Sequence, residues 1–246
     1  MSRFDELKSI RKELNKNYTV NNFPHPAQEQ IAKEIPDLFE KKAFFKMSPR
    51  PNDHERSREY SYYKHCIQHV EVDGLWAEFG VYKGASSKYL NNLKNEYFPD
   101  SNHGFHGFDS FDGLPEAWSG TGSSKGKFKT GVIPDVPGVT FHKGWFKDTI
   151  PKFLENHEEN FAFIHVDCDI YSSTVDILSN LKNRIVSGTV ILFDELIGYD
   201  AWKEHEYKAF MEFVKQNDVE YEWIGYVANA GQAACKIKKI GVNYES

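Results

Sequence analysis

The stretch FAFIHVDCDIYSSTVDILSNLKNRIVSGTVILFDE, Phe161 to Glu195, decides how the chain folds. An apolar run of strand character, Phe161–Asp167, is followed by a helical pattern over Ser172–Val186 and a second apolar run, Thr189–Asp194. Strand, crossover helix and strand of this length make a βαβ unit, whose two strands lie parallel in one sheet. The same alternation continues on both sides. Upstream, the strand patterns Leu75–Val81, Gly104–Asp109 and Val139–Gly144 are joined to helical patterns at Ala85–Tyr97 and Phe146–Glu158. Downstream, a helical pattern over Trp202–Gln216 leads to Tyr221–Val227 and Gln232–Lys238, separated by the turn signal Asn229-Ala230-Gly231. That turn makes the last two strands an antiparallel hairpin. The expectation is an α/β fold: a doubly wound, mostly parallel sheet of seven strands with an antiparallel terminal hairpin.

The first 74 residues carry a different pattern. They read as helices over Phe4–Asn15, Ala27–Lys46 interrupted at Pro36, and Asp53–Val70, punctuated by Pro24, Pro26, Pro49 and Pro51. This predicts an N-terminal helical cap or lid over residues 1–74, followed by one domain over 75–246. Within that domain the Gly-, Ser-, Lys- and Pro-rich stretch 113–138 stands where a crossover helix is expected, and a loop of that length points to a role at a site.

The chain of 246 residues is 40% hydrophobic and 15% aromatic, enough for one substantial core and unlike a disordered chain. Thirty basic against 36 acidic side chains leave a net charge of −6, which argues against a nucleic-acid partner, so an anionic ligand would have to be met locally. Apolar runs of four or five residues are too short to span a membrane, and the charged start MSRFDELKSIRKEL is unlike a signal peptide, so a soluble, cytoplasmic protein is expected. Cys66, Cys168 and Cys235 are widely spaced and odd in number, which suggests small buried residues rather than a disulfide framework or a zinc site. Phe23, Phe39, Phe44 and Phe45 could serve a lid, a core or a docking face, and aromatics near the N-terminus are compatible with a homodimer.

In an open α/β sheet, ligands bind beyond the carboxyl ends of the strands where the strand order reverses. The first such end is Glu78-Phe79-Gly80-Val81-Tyr82-Lys83-Gly84, opening a helix at Ala85. Gly80 and Gly84 allow a tight turn and close approach of a ligand, and Glu78 suits a cationic or zwitterionic one. The next strand closes on Asp109, placed to accept two hydrogen bonds from a ribose diol, with a turn aspartate as the plain alternative. Asp167 and Asp194 lie 27 residues apart, so they finish adjacent parallel strands and meet with Glu195. Three converging carboxylates repel one another unless a proton or cation intervenes, and Mg²⁺ is the simplest counterion. A helix-capping Asp169 and ordinary turn acids are the alternative. His205 and Glu206 either face the same cleft as acid–base groups or begin a solvated helix, while His142 and His165, inside strands, read as structural histidines.

The E-x-G-x-x-x-G turn and the acid ending the following strand resemble class I S-adenosylmethionine-dependent methyltransferases. More narrowly, Phe108-Asp109-Ser110-Phe111-Asp112-Gly113-Leu114-Pro115-Glu116, then Gly144-Trp145-Phe146-Lys147-Asp148-Thr149-Ile150-Pro151, then His165-Val166-Asp167-Cys168-Asp169-Ile170-Tyr171 resemble the macrocin O-methyltransferase family. The resemblance, running from about Leu75 to Lys238, implies a Rossmann-like methyltransferase fold and Mg²⁺-assisted methylation of a hydroxyl on a sugar or related polyol natural product. It implies that Glu78, Gly80 and Gly84 contact the methionine part of S-adenosylmethionine and that Asp109 binds the ribose. Ser110, Gly144, Trp145 and Phe146 would border the adenine. Asp167, Asp194 and Glu195 become metal ligands, and Asp167 also a cofactor neighbour and candidate base. Family members usually carry two consecutive aspartates where this chain has Asp194-Glu195. That departure motivates an alternative, a metal-independent enzyme using His205 and Glu206, and beside it stands a non-catalytic interaction module on the same fold.

Overall fold

The computed structural model describes residues 26–44 and 58–241; the helix expected over Phe4–Asn15 lies outside them. Helix α1 spans Pro26–Glu34. It gives way at Ile35, whose φ of −138° is forced out of the helical region by the proline that follows, and Pro36 opens the short helix α2, Pro36–Phe39. The helix expected to run on to Lys46 does not: Ala43–Phe44 is a strand, β1. The amide of Tyr226 donates to the Lys42 carbonyl at 3.1 Å and that of Ala228 to the Phe44 carbonyl at 2.7 Å, so pairing with a distant strand overrides the local helical pattern.

The chain then forms α3 (Arg58–Ile67), β2 (Leu75–Phe79), α4 (Ala85–Tyr97), β3 (Phe105–Asp109), β4 (Val139–Lys143) and α5 (Phe146–Leu154). It continues through β5 (Phe161–Val166), α6 (Tyr171–Leu181), β6 (Val190–Phe193), α7 (Glu206–Gln216), β7 (Glu220–Val227) and β8 (Ala233–Lys239). All seven expected strands are present, and β1 makes the sheet eight-stranded, in the order β1-β7-β8-β6-β5-β2-β3-β4. Every neighbouring pair is parallel except those of β8, which runs against both β6 and β7. The chain starts outward from β2 through β3 to β4 and then returns to β5 on the other side of β2. The order therefore reverses between β2 and β5, and a ligand cleft is expected at their carboxyl ends.

The central strands are buried on both faces, which is why they read as unbroken apolar runs. Leu75, Ala77 and Phe79 pack towards α1, α2, α5, α6 and α7, whereas Trp76 packs towards α3 and α4. The same split divides Ile191 and Phe193 from Val190 and Leu192. Removing one of these large side chains would cost roughly 2–5 kcal/mol. Alternation also sends Glu78 and His165 to the α3 side, where the His165 ring meets Tyr63 edge-on at 5.6 Å.

The described N-terminal residues pack into both core layers. Ile31, Ile35 and Leu38 belong to one core layer, Tyr62, Tyr63, Cys66 and Ile67 to the other, and Phe44 is buried against Tyr62. The described residues on the N-terminal side of position 75 thus share a core with the sheet. Phe39 and Phe44 pack inward, so neither offers a docking face. All three cysteines are buried and free. Among the described residues no helix is long and apolar enough to cross a membrane.

Candidate active site

The carboxyl ends of β2, β3, β5 and β6 and the loop 113–138 enclose a cavity of about 580 Å³. Gly80 sits on its wall with φ +97°, its amide donating to the Phe108 carbonyl at 2.9 Å. A β-carbon there would lie 1.6 Å from the Asp167 carbonyl oxygen, so glycine is what lets the ends of β2 and β5 touch. Gly84 begins α4 at φ +78° but faces the loop: a β-carbon would meet Val136 Cγ2 at 3.0 Å.

Glu78 does not line the cavity. It is fully buried on the α3 side of β2, accepting hydrogen bonds from Ser87 Oγ and from His165 Nδ1, the latter at 3.0 Å. The expected direct contact with a ligand is corrected by strand alternation, which points this residue beneath the turn rather than into it. Asp109 does line the cavity, yet its carboxylate is engaged: Oδ2 accepts from the amides of Val81 at 2.9 Å and Tyr82 at 2.8 Å, and Oδ1 from that of Phe111 at 2.7 Å. A carboxylate accepts about four hydrogen bonds, so Asp109 frames both adjoining turns and keeps little capacity for a diol. Ser110, Gly144, Trp145 and Phe146 all border the cavity. Phe146 meets Phe79 edge-on at 5.7 Å, and Trp145 leaves 37% of its surface open.

The acids gather on the opposite wall. Carboxylate oxygens of Asp167, Asp194 and Glu195 lie within 4.8 Å of one another, and Asp169 lines the same space. Asp169 has φ +69°, while α6 is capped by Ile170 without a side-chain bond, so Asp169 is not the helix cap. Burial and the charge of Asp194 push the Asp169 carboxyl up to about 7. The same two causes raise Asp167 and Glu195 well above the usual carboxylate range. Asp194 goes the other way: burial opposes its charge, but the positive charge of the neighbouring His165, with a bond from Gln232, holds it down at about 2. His165 answers in kind, since Asp194 and Glu78 outweigh burial and lift it to about 10. Its Nε2 stands 3.9 Å from Asp194 Oδ1. One row, Glu78–His165–Asp194, therefore runs beneath the cleft and sets Asp194 apart from the other acids of the cluster.

Glu195 Oε2 is buried without a hydrogen-bond partner. An orphaned carboxylate oxygen in an all-oxygen cluster, where Asp167 and Glu195 resist ionisation beside Asp194, fits a hard divalent cation. His205 does not reach this space. Its Nε2 lies 2.9 Å from Ser119 Oγ and 3.1 Å from the Ser119 carbonyl, so it ties the 113–138 loop to the start of α7. Glu206 is fully buried behind the acids, where burial and Asp169 raise its carboxyl to about 8. The loop itself is ordered by its own ladder, Leu114 N to Lys127 O and Gly126 N to Leu114 O, both 2.9 Å, and it brings Trp118, Lys125 and Phe128 to the cavity. The D-x-D spacing of Asp167 and Asp169 was the signal for Asp169; the loop residues carried none.

The mostly parallel sheet with its order reversing between β2 and β5 is a Rossmann-like α/β fold. It is shared with the crystal structure of CalS11, a calicheamicin methyltransferase, at a TM-score of 0.61 and 19% identity over 96% of this chain and 93% of that one. Residues 128–228 match the family described as Macrocin-O-methyltransferase (TylF), the stretch holding the second and third motifs of the resemblance. The 8-demethyl-8-(2,3-dimethoxy-alpha-L-rhamnosyl)-tetracenomycin-C 4'-O-methyltransferase of Streptomyces olivaceus is 27% identical over 171 residues, 59% of this chain and 63% of that protein. The mycinamicin III 3''-O-methyltransferase of Micromonospora griseorubida is 24% identical over 174 residues, again 59% of this chain and 65% of the relative. The match thus spans less than two thirds of either relative's length.

Proposed function

We propose that this chain is an S-adenosylmethionine-dependent O-methyltransferase acting on a sugar hydroxyl of a small molecule, with a divalent cation such as Mg²⁺ held by Asp167, Asp194 and Glu195. The observation that carries this reading is the single cavity whose one wall is the Gly80–Tyr82 turn with Asp109 and whose other wall is the acid cluster. The sugar O-methyltransferases among its relatives support the acceptor class.

S-adenosylmethionine supplies an electrophilic methyl on a sulfonium, and the transfer needs alignment and removal of one proton rather than a covalent enzyme intermediate. A divalent cation supplies Lewis acidity that makes a vicinal diol easier to deprotonate. The Gly80–Val81–Tyr82 turn, held rigid by Asp109, orients the donor, and Trp145 and Phe146 provide the apolar border for its base. Asp169, with its carboxyl near 7 and its place on the cavity wall, is suited to take the acceptor proton at one of its oxygens near neutral pH. Asp167 is the alternative base. Trp118, Lys125 and Phe128 from the loop close the cavity and exclude water from the transfer. His205 and Glu206 act from outside the cavity, which disfavours them as the base.

The test is methyl transfer from labelled S-adenosylmethionine to a panel of rhamnosides and related glycosides, with and without EDTA and with Mg²⁺ restored. Transfer abolished by chelation and recovered with Mg²⁺ is expected. Transfer that survives exhaustive chelation removes the cation, and absence of S-adenosylhomocysteine binding by calorimetry removes the enzyme.

A further inference from the structure

The ends of β5 and β6 carry all four acids of the cluster on two separate turns, and the amides just past these strands have left the sheet ladder. Cys168 and Asp169 follow Asp167, and Glu195 follows Asp194. One side chain reaches both turns. Glu206, the first residue of α7, accepts from the Cys168 amide at 3.4 Å and the Asp169 amide at 3.3 Å on Oε1, and from the Glu195 amide at 3.2 Å on Oε2. It is fully buried, and the Cys168 thiol also faces Oε1 at 4.0 Å.

A fifth carboxyl buried behind four others is a costly choice for stability, because it must either add like charge where little solvent screens it or be held protonated. Three strand-end amides could be satisfied by water or by a neutral side chain. A two-oxygen acceptor, however, does what a single hydroxyl cannot: each oxygen holds one turn, and the rigid distance between them sets the distance between the turns. Glu206 touches none of the space where substrate or cofactor would lie.

We infer that Glu206 is a positioning residue, a clamp that joins the two acid-bearing turns and sets the spacing of Asp167, Asp194 and Glu195 for a divalent cation. The cation half of this inference rests on the proposed function; the clamp half does not. The α7 helix is thereby coupled to the site, since its first residue fixes the turns while the preceding His205 fixes the 113–138 loop. One short segment sets both the floor and the cover of the cleft.

Glu206→Gln separates this from a general packing role. Glutamine has the same shape but only one acceptor oxygen, so it keeps one turn and presents an N–H₂ group to the donors of the other. Amide hydrogen exchange, Mn²⁺ binding by electron paramagnetic resonance and S-adenosylhomocysteine binding by calorimetry would be measured on the full chain. The variant is expected to fold, to exchange at least tenfold faster at Glu195 or at Cys168 and Asp169, and to bind Mn²⁺ about tenfold more weakly, as loss of an outer support of metal ligands typically does. Its S-adenosylhomocysteine affinity should stay within about twofold, and Glu206→Asp should recover little, being too short to reach both turns. Unchanged exchange at all three amides overturns the clamp whatever the ion does. Faster exchange with wild-type Mn²⁺ affinity leaves the clamp standing and overturns its role in spacing the ligands. A wild-type protein that binds no Mn²⁺ refutes the cation reading, and the exchange measurement alone then decides the clamp.

Discussion

Replacing Asp109 by Asn tests whether this residue frames the proposed donor pocket before it touches any donor. Three backbone amides, those of Val81, Tyr82 and Phe111, converge on its two oxygens at 2.7 to 2.9 Å. Asparagine keeps the Val81 and Tyr82 bonds if its carbonyl oxygen takes the place of Oδ2, but its N–H₂ group then confronts the Phe111 amide, donor against donor. The loss is one charge-assisted hydrogen bond, about 1.5–3 kcal/mol, and a weakening of the other two to neutral strength. Water can reach this half-buried site and recover part of that, so the net destabilisation is set at about 2 kcal/mol, or roughly 4–8 °C in Tm for a chain of this size. Because the turns at 80–82 and 110–113 would both relax, S-adenosylhomocysteine affinity should fall about tenfold, one factor of ten being about 1.4 kcal/mol. Thermal unfolding followed by circular dichroism and titration calorimetry read the two effects. An Asp109→Asn protein that melts with the wild type shows that the amide bonds are incidental. One that melts lower but binds undiminished shows that the frame does not shape the pocket.

Gly80→Ala should be far worse than its size suggests, with more than about 3 kcal/mol lost and the S-adenosylhomocysteine signal gone, since the new methyl must displace the Asp167 carbonyl. Gly122→Ala, where φ is also positive but nothing lies within 4 Å, should cost only about 1 kcal/mol, and equal losses in urea unfolding would refute the steric account. Burial, with His142 and His157 nearby, holds the His106 imidazole down at about 4. The folded protein then resists a proton that the unfolded chain accepts below its ordinary 6.5, so stability is full above that value and falls as pH drops towards 4. His106 alone contributes about 2 kcal/mol of loss between pH 7.5 and pH 5. His106→Phe should lose that much less than the wild type over the same interval in urea titrations; an identical loss rejects the reasoning. Burial raises the thiols of Cys66, Cys168 and Cys235, so an aromatic disulfide reagent should modify none of them until the protein unfolds, and rapid native labelling would show that the core is open.

The parallel sheet was legible because its strands are buried on both faces and its helices on one, so period and composition change together at each boundary. Phe161–Glu195 shows this at its plainest: two apolar runs and a helix of matching length leave one topology open. Ala43–Phe44 failed the same reading for a physical reason. A two-residue edge strand has no period of its own, and what makes it a strand is β7, nearly two hundred residues away. The described part of the N-terminal region was hidden likewise: the positions of Ile31, Leu38 and Tyr62 suit a helix face, but only the fold says that these faces complete the central core.

At the site, the residues that were legible are those that end strands, because a strand end in such a sheet points at the cleft wherever it occurs. Asp109, Asp167, Asp194 and Glu195 were found this way, and Gly80 by its place in the first turn. What local sequence cannot show is direction within a strand relative to partners far away. Glu78 stands one residue from Phe79 and two from Gly80, so it is near the cleft in sequence and beneath it in space; its partner His165 lies 87 positions on and meets it only because β2 and β5 pair in register, Glu78 opposite His165. The consequence bears on the cluster itself. Four acids of similar chemistry would share protons indifferently, but the buried His165 holds the Asp194 carboxyl low, while burial and the charge of Asp194 raise Asp167, Asp169 and Glu195. The asymmetry that the proposed proton transfer would use is thus built by Glu78 and His165, which do not line the cavity.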